Sequence, residues 1–115
     1  MEKSEIKFFE EKFDFIPKDG DLLYIVACSF KFTIAFKDIK ENQVLAYACY
    51  DKDYGQSYDE VYICDLEEVE EIRPMTQDEK DEFVYSLYSY KDGFKRAELL
   101  EQKIGKQLLK KRKSN

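Results

Sequence analysis

The chain has 115 residues and a formal net charge of −6, with 43% hydrophobic and 38% charged residues. This apolar fraction is too high for a disordered chain, and the length suits one compact domain, which we place at residues 1–109. The sequence contains no His, which excludes mechanisms that use histidine as the general base. No apolar run approaches the roughly 18 residues of a membrane helix, and the N-terminus lacks a secretory signal. We therefore expect a cytoplasmic protein with no membrane partner.

The charges are distributed unevenly along the chain. Residues 1–93 carry 11 basic and 23 acidic side chains, whereas residues 94–115 carry eight basic and two acidic ones. The acid density peaks at residues 51–82, with 13 acidic and three basic side chains. Such blocks are typical of solvated surface that keeps a domain in solution, but each could also bind a partner of opposite charge.

The first two thirds of the chain predict a helix followed by strands. Ile6, Phe9 and Phe13 have helical spacing and predict a short helix within residues 5–16. Residues 17–21 contain Pro and Gly and predict a turn. Apolar or alternating segments then predict five strands, with residues 51–57 as a loop. The predicted strands are residues 22–29, 30–37, 44–50, 60–64 and 68–73.

The last third predicts helices. Pro74 cannot donate to a strand ladder and ends the fifth strand, and Thr76 with Glu79 has the spacing of a capping box. A helix therefore begins there, a second helical segment covers residues 97–108, and residues 110–115 are expected to form a disordered basic tail.

This order of elements predicts an α+β domain. About five antiparallel strands would form a small open barrel, similar to the Src-homology-3-like barrels, followed by one or two helices. Ala46 and Ala48 predict a sheet face that a helix covers closely.

Candidate chemistry in the sequence is sparse. Cys28, Cys49 and Cys64 form no Cys-x-x-Cys pair and are expected to be buried free thiols, and the four glycines are too scattered for a phosphate loop. We predict no metal site, no cofactor and no enzymatic activity. An alternative is a metal-dependent hydrolase in which Asp21 and Asp38, with Lys40, imitate the two acids and lysine of restriction-type nucleases.

The leading hypothesis is a non-catalytic binding or regulatory module, present as a monomer or homodimer. Tyrosines interleaved with acids are a composition found at protein interfaces, although tyrosine is also common in ordinary strands. The expected partner is a protein with a basic surface. The predicted acidic face consists of Tyr50, Asp51, Asp53, Tyr54, Tyr58, Asp59 and Glu60.

The alternative hypothesis is a nucleic-acid-binding protein that uses the basic C-terminal helix and tail. Lysine and arginine side chains bind phosphate backbones in a salt-sensitive and non-specific manner. The candidate residues are Lys106, Lys110, Lys111, Arg112 and Lys113.

Several short motifs between residues 17 and 87 resemble a known group of proteins. They are Lys18-Asp19-Gly20-Asp21, Phe36-Lys37-Asp38-Ile39, Tyr47-Ala48-Cys49-Tyr50, and Ile72-Arg73-Pro74-Met75-Thr76 with Glu79-Lys80. In this order they resemble a family of small uncharacterised proteins of gut bacteria and their phages or mobile elements. The resemblance implies the barrel-plus-helix fold and no activity. After residue 93 this chain departs from the pattern, because its basic helix is longer.

Overall fold

The described part of the chain contains one helix, five strands and two further helices, in that order. The structure is a computed structural model that describes residues 1–89 and 92–108. A single 3-10 turn, Leu66–Glu68, joins the last two strands. The elements are α1 (Lys3–Phe13), β1 (Leu22–Ala27), β2 (Phe30–Lys40), β3 (Gln43–Asp51), β4 (Gln56–Asp65), β5 (Val69–Pro74), α2 (Gln77–Tyr88) and α3 (Gly93–Ile104).

The five strands form one antiparallel sheet with the order β4-β3-β2-β1-β5. Among the described strands, β4 and β5 are the two outer ones, so the sheet is open and unclosed. The α+β class, the five antiparallel strands and the C-terminal helices are therefore confirmed. The Src-homology-3-like identity is not confirmed.

Each face of the sheet has its own apolar core. On one face, Phe9 of α1 packs with Ile25, Ile34 and Val44, and all four are fully buried. On the other face, Phe83 and Leu87 of α2 and Leu100 of α3 pack over Ala35 and Ala48. Burial of a large apolar side chain contributes about 1.5–3 kcal/mol, so the sheet is fixed between α1 and the α2–α3 pair.

Two bulges interrupt the pairing of β2 with β3. Ala35 pairs with Ala48 and Phe36 pairs with Ala46, which leaves Tyr47 as an extra residue; the next pair, Asp38 with Leu45, leaves Lys37 as another. A bulge redirects side chains and bends the strand. The prediction that Ala46 and Ala48 share one covered face is therefore wrong, because Ala46 lies in the α1 core and Ala48 in the α2–α3 core.

Other corrections concern element ends. The first helix ends at Phe13, because Asp14 adopts a left-handed φ of 50°. Strand β4 begins at Gln56, so the predicted loop 51–57 is only a short turn.

The capping box of α2 is confirmed: the Glu79 N–H donates to Thr76 Oγ1 (3.2 Å) and the Thr76 N–H donates to Glu79 Oε1 (2.8 Å). The predicted tail, residues 110–115, lies outside the described residues. No helix in the described ranges is long and apolar enough to cross a membrane.

Candidate functional site

The predicted acidic face is divided among three places in the structure. Tyr50 packs against the α2–α3 core. Asp51 is only 8% exposed, and its Oδ1 accepts hydrogen bonds from the N–H groups of Asp53 (2.9 Å) and Tyr54 (3.1 Å). Asp51 therefore shapes the β3–β4 turn and is not presented to a partner.

The turn itself forms the second place. The Asp53 Oδ2 accepts a hydrogen bond of 2.7 Å from the Lys31 N–H, which ties the β3–β4 turn to β2. The Tyr54 ring is 68% exposed, and its centroid lies 5.9 Å from that of Phe30. This end of the sheet thus combines a structural carboxylate with two exposed aromatic rings.

The β4 residues form the third place, and they point to both faces of the sheet. Directly paired residues share a face. Tyr58 pairs with Cys49 of the α1 core, whereas Asp59 pairs with Ala48 of the α2–α3 core. The Asp59 Oδ1 accepts a hydrogen bond of 2.6 Å from Arg96 Nε of α3. Tyr58 and Asp59 therefore do not form one surface.

Glu60 lies beside the two bulges and is paired with a lysine. Its Oε1 is 2.6 Å from Lys37 Nζ, and Lys37 Nζ lies 5.3 Å from the centroid of the Tyr47 ring. The Tyr47 hydroxyl donates to Asp19 Oδ1 at 2.9 Å. The hydrogen bond from Lys37 lowers the pKa of Glu60, while partial burial and the bond to Asp19 raise the pKa of Tyr47.

A groove with tyrosine walls lies between the β3–β4 turn and α2. Its volume is about 330 Å³, and Tyr50, Ser57, Glu82 and Tyr85 line it. Tyr85 is 74% exposed, and Glu82 Oε1 lies 3.4 Å from Lys52 Nζ. We call these four residues and the space between them the tyrosine groove.

Sequence reasoning identified one wall of this groove and missed the other. Tyr50 belongs to the predicted face, whereas Tyr85 and Glu82 on α2 do not. The missed signal was the position of Tyr85, which lies outside the buried stripe that Phe83 and Leu87 form on α2. A large aromatic residue outside the apolar stripe of an amphipathic helix indicates an exposed ring.

An ion pair fixes the start of α2 against β5. Arg73 binds Glu79 through two hydrogen bonds, Nη1 to Oε1 (2.8 Å) and Nη2 to Oε2 (2.9 Å), and its guanidinium lies 4.1 Å from the centroid of the Tyr24 ring. The bonds from Arg73 lower the pKa of Glu79 to about 2. The α2 wall of the tyrosine groove is therefore anchored at the N-terminus of the helix.

The residues of the hydrolase alternative have separate partners. Asp21 Oδ2 accepts from the Lys18 N–H at 2.9 Å, and Asp38 Oδ1 accepts from the Ile39 N–H at 2.8 Å and lies 3.7 Å from the N-terminal amine. Across residues 1–89 and 92–108, no three His, Cys, Asp or Glu side chains are grouped so that they could hold a metal ion. The structure thus gives the hydrolase alternative no geometric support.

The cysteines differ from one another in burial, so the prediction of three buried thiols is wrong for one of them. Cys49 is buried and Cys64 is partly buried, whereas Cys28 is exposed in the β1–β2 turn. The Cys28 Sγ donates a hydrogen bond to Glu68 Oε2, which raises the pKa of this thiol. Burial raises the pKa of Cys64 to about 12.

The basic residues of the alternative hypothesis are only partly described. Lys106 Nζ lies 3.4 Å from Asp21 Oδ1, and Lys110, Lys111, Arg112 and Lys113 lie outside the described residues. No family model matches the chain, and no curated protein or solved structure is significantly similar to it.

Proposed function

We propose that this protein is a non-catalytic binding module that holds a basic segment of a partner protein in the tyrosine groove. The observation that carries the proposal is the exposure of Tyr85, which is 74% exposed on the wall of the groove. Ser57 and Glu82 belong to the acid-rich stretch of residues 51–82, and Tyr50 and Tyr85 lie close to its two ends. A lysine or arginine side chain in this groove would face aromatic rings in a negative potential.

The groove offers two kinds of direct contact. A cation over an exposed tyrosine ring gains about 0.5–1 kcal/mol, and Tyr85 presents such a ring, whereas the half-buried Tyr50 forms part of the opposite wall. The Glu82 carboxylate is 45% exposed and pairs with Lys52 at 3.4 Å. An arginine of the partner can replace Lys52 there and form a two-point bond that lysine cannot form.

The acidic side chains of the predicted face contribute to partner binding mainly through their long-range electrostatic field. Asp51 accepts hydrogen bonds within the β3–β4 turn, and Asp53 accepts one from the Lys31 N–H of β2. Asp59 and Glu60 pair with Arg96 and Lys37. These carboxylates attract a basic partner over a distance but are already engaged at short range. Such a field accelerates encounter more than it strengthens the final complex.

The finer description of the fold belongs to the same proposal. We infer an open barrel of the Src-homology-3-like kind, which is supported by β1 pairing with both β2 and β5 and by the bulges that bend β2 and β3. The sequence motifs support a role as an accessory protein of a phage or mobile element. Both statements concern the scaffold and its origin, and the proposed binding in the tyrosine groove does not depend on them.

The test uses a short peptide of alternating arginine and glycine, with a matched peptide in which glutamate replaces arginine. Heteronuclear NMR titration should show the arginine peptide shifting the amides that line the groove. Tyr85→Ala should weaken binding about two- to fivefold, which corresponds to the cation–π energy. Tyr62→Ala is the control, because Tyr62 is an exposed tyrosine on β4 that does not line the groove. Equal weakening by both variants, or equal binding of both peptides, would refute the proposal.

A further inference from the structure

A second cavity adjoins the tyrosine groove, and Tyr85 is a wall of both spaces. The volume of this second cavity is about 630 Å³. Val84, Tyr88 and Leu108 form its apolar side. We call this space the Leu108 cavity. A ligand that contacts Tyr85 in the groove therefore lies beside the Leu108 cavity.

Two neighbouring faces of α2 line the two spaces. Glu82 and Ser89 line the groove, whereas Asp81 and Tyr88, each one position earlier in the chain, line the Leu108 cavity. Successive residues of an α-helix are turned by about 100° about its axis. Tyr85 lines both spaces and therefore lies on the ridge that divides them.

The apolar side of the Leu108 cavity is held in place by the core. Leu108 is 6% exposed and packs in the α2–α3 core, and its N–H donates to Glu101 Oε2 at 2.6 Å. Val84 is half-buried against the same core, whereas Tyr88 is 41% exposed. The cavity thus combines fixed aliphatic surface with an exposed aromatic ring.

The charges on the described residues that line the Leu108 cavity balance. Lys80 contributes one positive charge and Asp81 one negative charge. The Asp81 Oδ1 also accepts a hydrogen bond of 2.9 Å from Gln77 Nε2. This lining offers no net attraction to an ion, and burial of an unpaired charge is costly. The cavity therefore favours an uncharged, apolar side chain.

The separation of the two spaces matches the geometry of an extended peptide. Atoms in contact with a ring lie about 3.5–4 Å from it, so groups on the two sides of the Tyr85 ring are about 7–8 Å apart. In an extended chain, residues i and i+2 point to the same side and are about 6.6–6.8 Å apart. An arginine in the groove would therefore place a side chain two residues away in the Leu108 cavity.

We propose that the Leu108 cavity binds a large apolar side chain, such as leucine, two residues from the arginine that binds in the tyrosine groove. This inference rests on the proposed function and narrows the partner to an extended segment with an arginine and an apolar residue on the same side. The apolar residue provides selectivity, because a segment with arginine alone leaves the apolar side of the cavity in contact with water.

The test compares two peptides of identical composition by heteronuclear NMR titration. In Gly-Leu-Gly-Arg-Gly-Leu-Gly the leucines lie two residues from the arginine in both directions, and in Gly-Gly-Leu-Arg-Leu-Gly-Gly they adjoin it. The first peptide should bind about fivefold more tightly, below the at least tenfold gain of complete leucine burial, because the cavity is open to water. It should also shift the amides of Val84 and Tyr88.

Tyr88→Ser should reduce this preference to less than twofold. The matched control is Tyr58→Ser, because Tyr58 is also 41% exposed but lines neither space. This control should keep the fivefold preference, and an equal loss of preference in both variants would overturn the inference. Equal binding of the two peptides to the wild type would overturn this inference alone. Failure of every arginine peptide to bind would overturn the proposed function as well.

The competing occupant of the Leu108 cavity is the C-terminal segment of the same chain, which continues from Leu108. Deletion of residues 110–115 should leave the fivefold preference unchanged. A preference that appears only after this deletion would overturn the inference in favour of that segment.

Discussion

The tyrosine groove and the region around Lys37 and Glu60 are held in place by different forces. The groove depends on contacts that are shielded from solvent. Phe83 is fully buried, and Glu79, which is 12% exposed, binds Arg73 through two hydrogen bonds. The region around Lys37 and Glu60 depends on an exposed ion pair and on two bulges: Lys37 Nζ lies 2.6 Å from Oε1 of Glu60, whose side chain is 57% exposed.

Because of this difference, the two regions should respond differently to salt. Exposed ion pairs contribute about 0–1 kcal/mol and are screened by salt, whereas shielded pairs are screened less. Salt should therefore weaken the pair between Lys37 and Glu60 and leave the shape of the groove intact.

The largest effect is expected where α2 and α3 join. A Cβ atom on Gly93 would lie 2.4 Å from Tyr88 Cα and 2.6 Å from the Leu87 carbonyl oxygen, and neither backbone atom can move without shifting α2. Gly93→Ala should lower the free energy of unfolding by about 3 kcal/mol, at the upper end for overpacking. Urea denaturation measures this change. Gly105→Ala is the control, because it meets no atom within 4 Å and costs only about 1 kcal/mol through its φ of 66°. Similar losses in both variants would contradict the proposed contact.

The second effect should be confined to the groove side. Glu79→Gln keeps a residue that can complete the capping box but removes the charge that binds Arg73. Because Arg73 is 38% exposed, solvent reduces the benefit of the pair, and we expect a loss of about 1 kcal/mol at neutral pH. Thermal denaturation of the two proteins at pH 7 measures it.

The pH dependence of this pair has a defined direction. The pKa of Glu79 is lowered from 4.5 to about 2 in the folded protein, so the stability it provides is present above about pH 4.5 and is lost as the pH falls towards 2. The stability difference between the wild type and Glu79→Gln should therefore shrink over that range. A constant difference from pH 7 to pH 2 would show that the charge of Glu79 is not responsible.

A smaller effect should appear where α3 meets β4. Arg96 Nε lies 2.6 Å from Asp59 Oδ1 and its Nη2 lies 2.8 Å from Ser57 Oγ. Asp59 is 65% exposed, so a double-mutant cycle of Arg96→Met and Asp59→Asn should give a coupling energy of about 0.5–1 kcal/mol. A coupling energy near zero would mean that this pair does not hold α3 to the sheet.

The sequence predicted those parts of the fold that depend on local chemistry. The capping box at Thr76, the turn before β1 and the alternation along the strands are each set by neighbours in the chain, and each was found. The bulges at Lys37 and Tyr47 were not predicted, because register is decided by packing between strands and not by the pattern of one strand. They explain why Ala46 and Ala48 lie on opposite faces.

The candidate site could be predicted only in part for the same reason. The acid-rich region was visible as composition, but composition does not show that Asp51 and Asp53 are occupied by backbone N–H groups. Nor does sequence spacing bring Lys37, Lys40 and Lys103 together. These lysines belong to β2 and α3, and only the tertiary fold brings both elements to the same carboxylate, Glu60.

The smallest effect is expected at Tyr47, whose ring lies beside Lys37. Its hydroxyl donates to Asp19, and burial together with this bond raises its pKa above the usual 10. Tyr47→Phe should cost about 0.5 kcal/mol at neutral pH, as for a partly exposed hydrogen bond.

Because the neutral phenol is favoured in the folded state, the stability from this group is present below pH 10 and is lost as the pH rises through the higher folded pKa. The difference between the ultraviolet absorbance titrations of the wild type and Tyr47→Phe isolates this phenol, and a midpoint at or below pH 10 would show that the Asp19 bond is not formed.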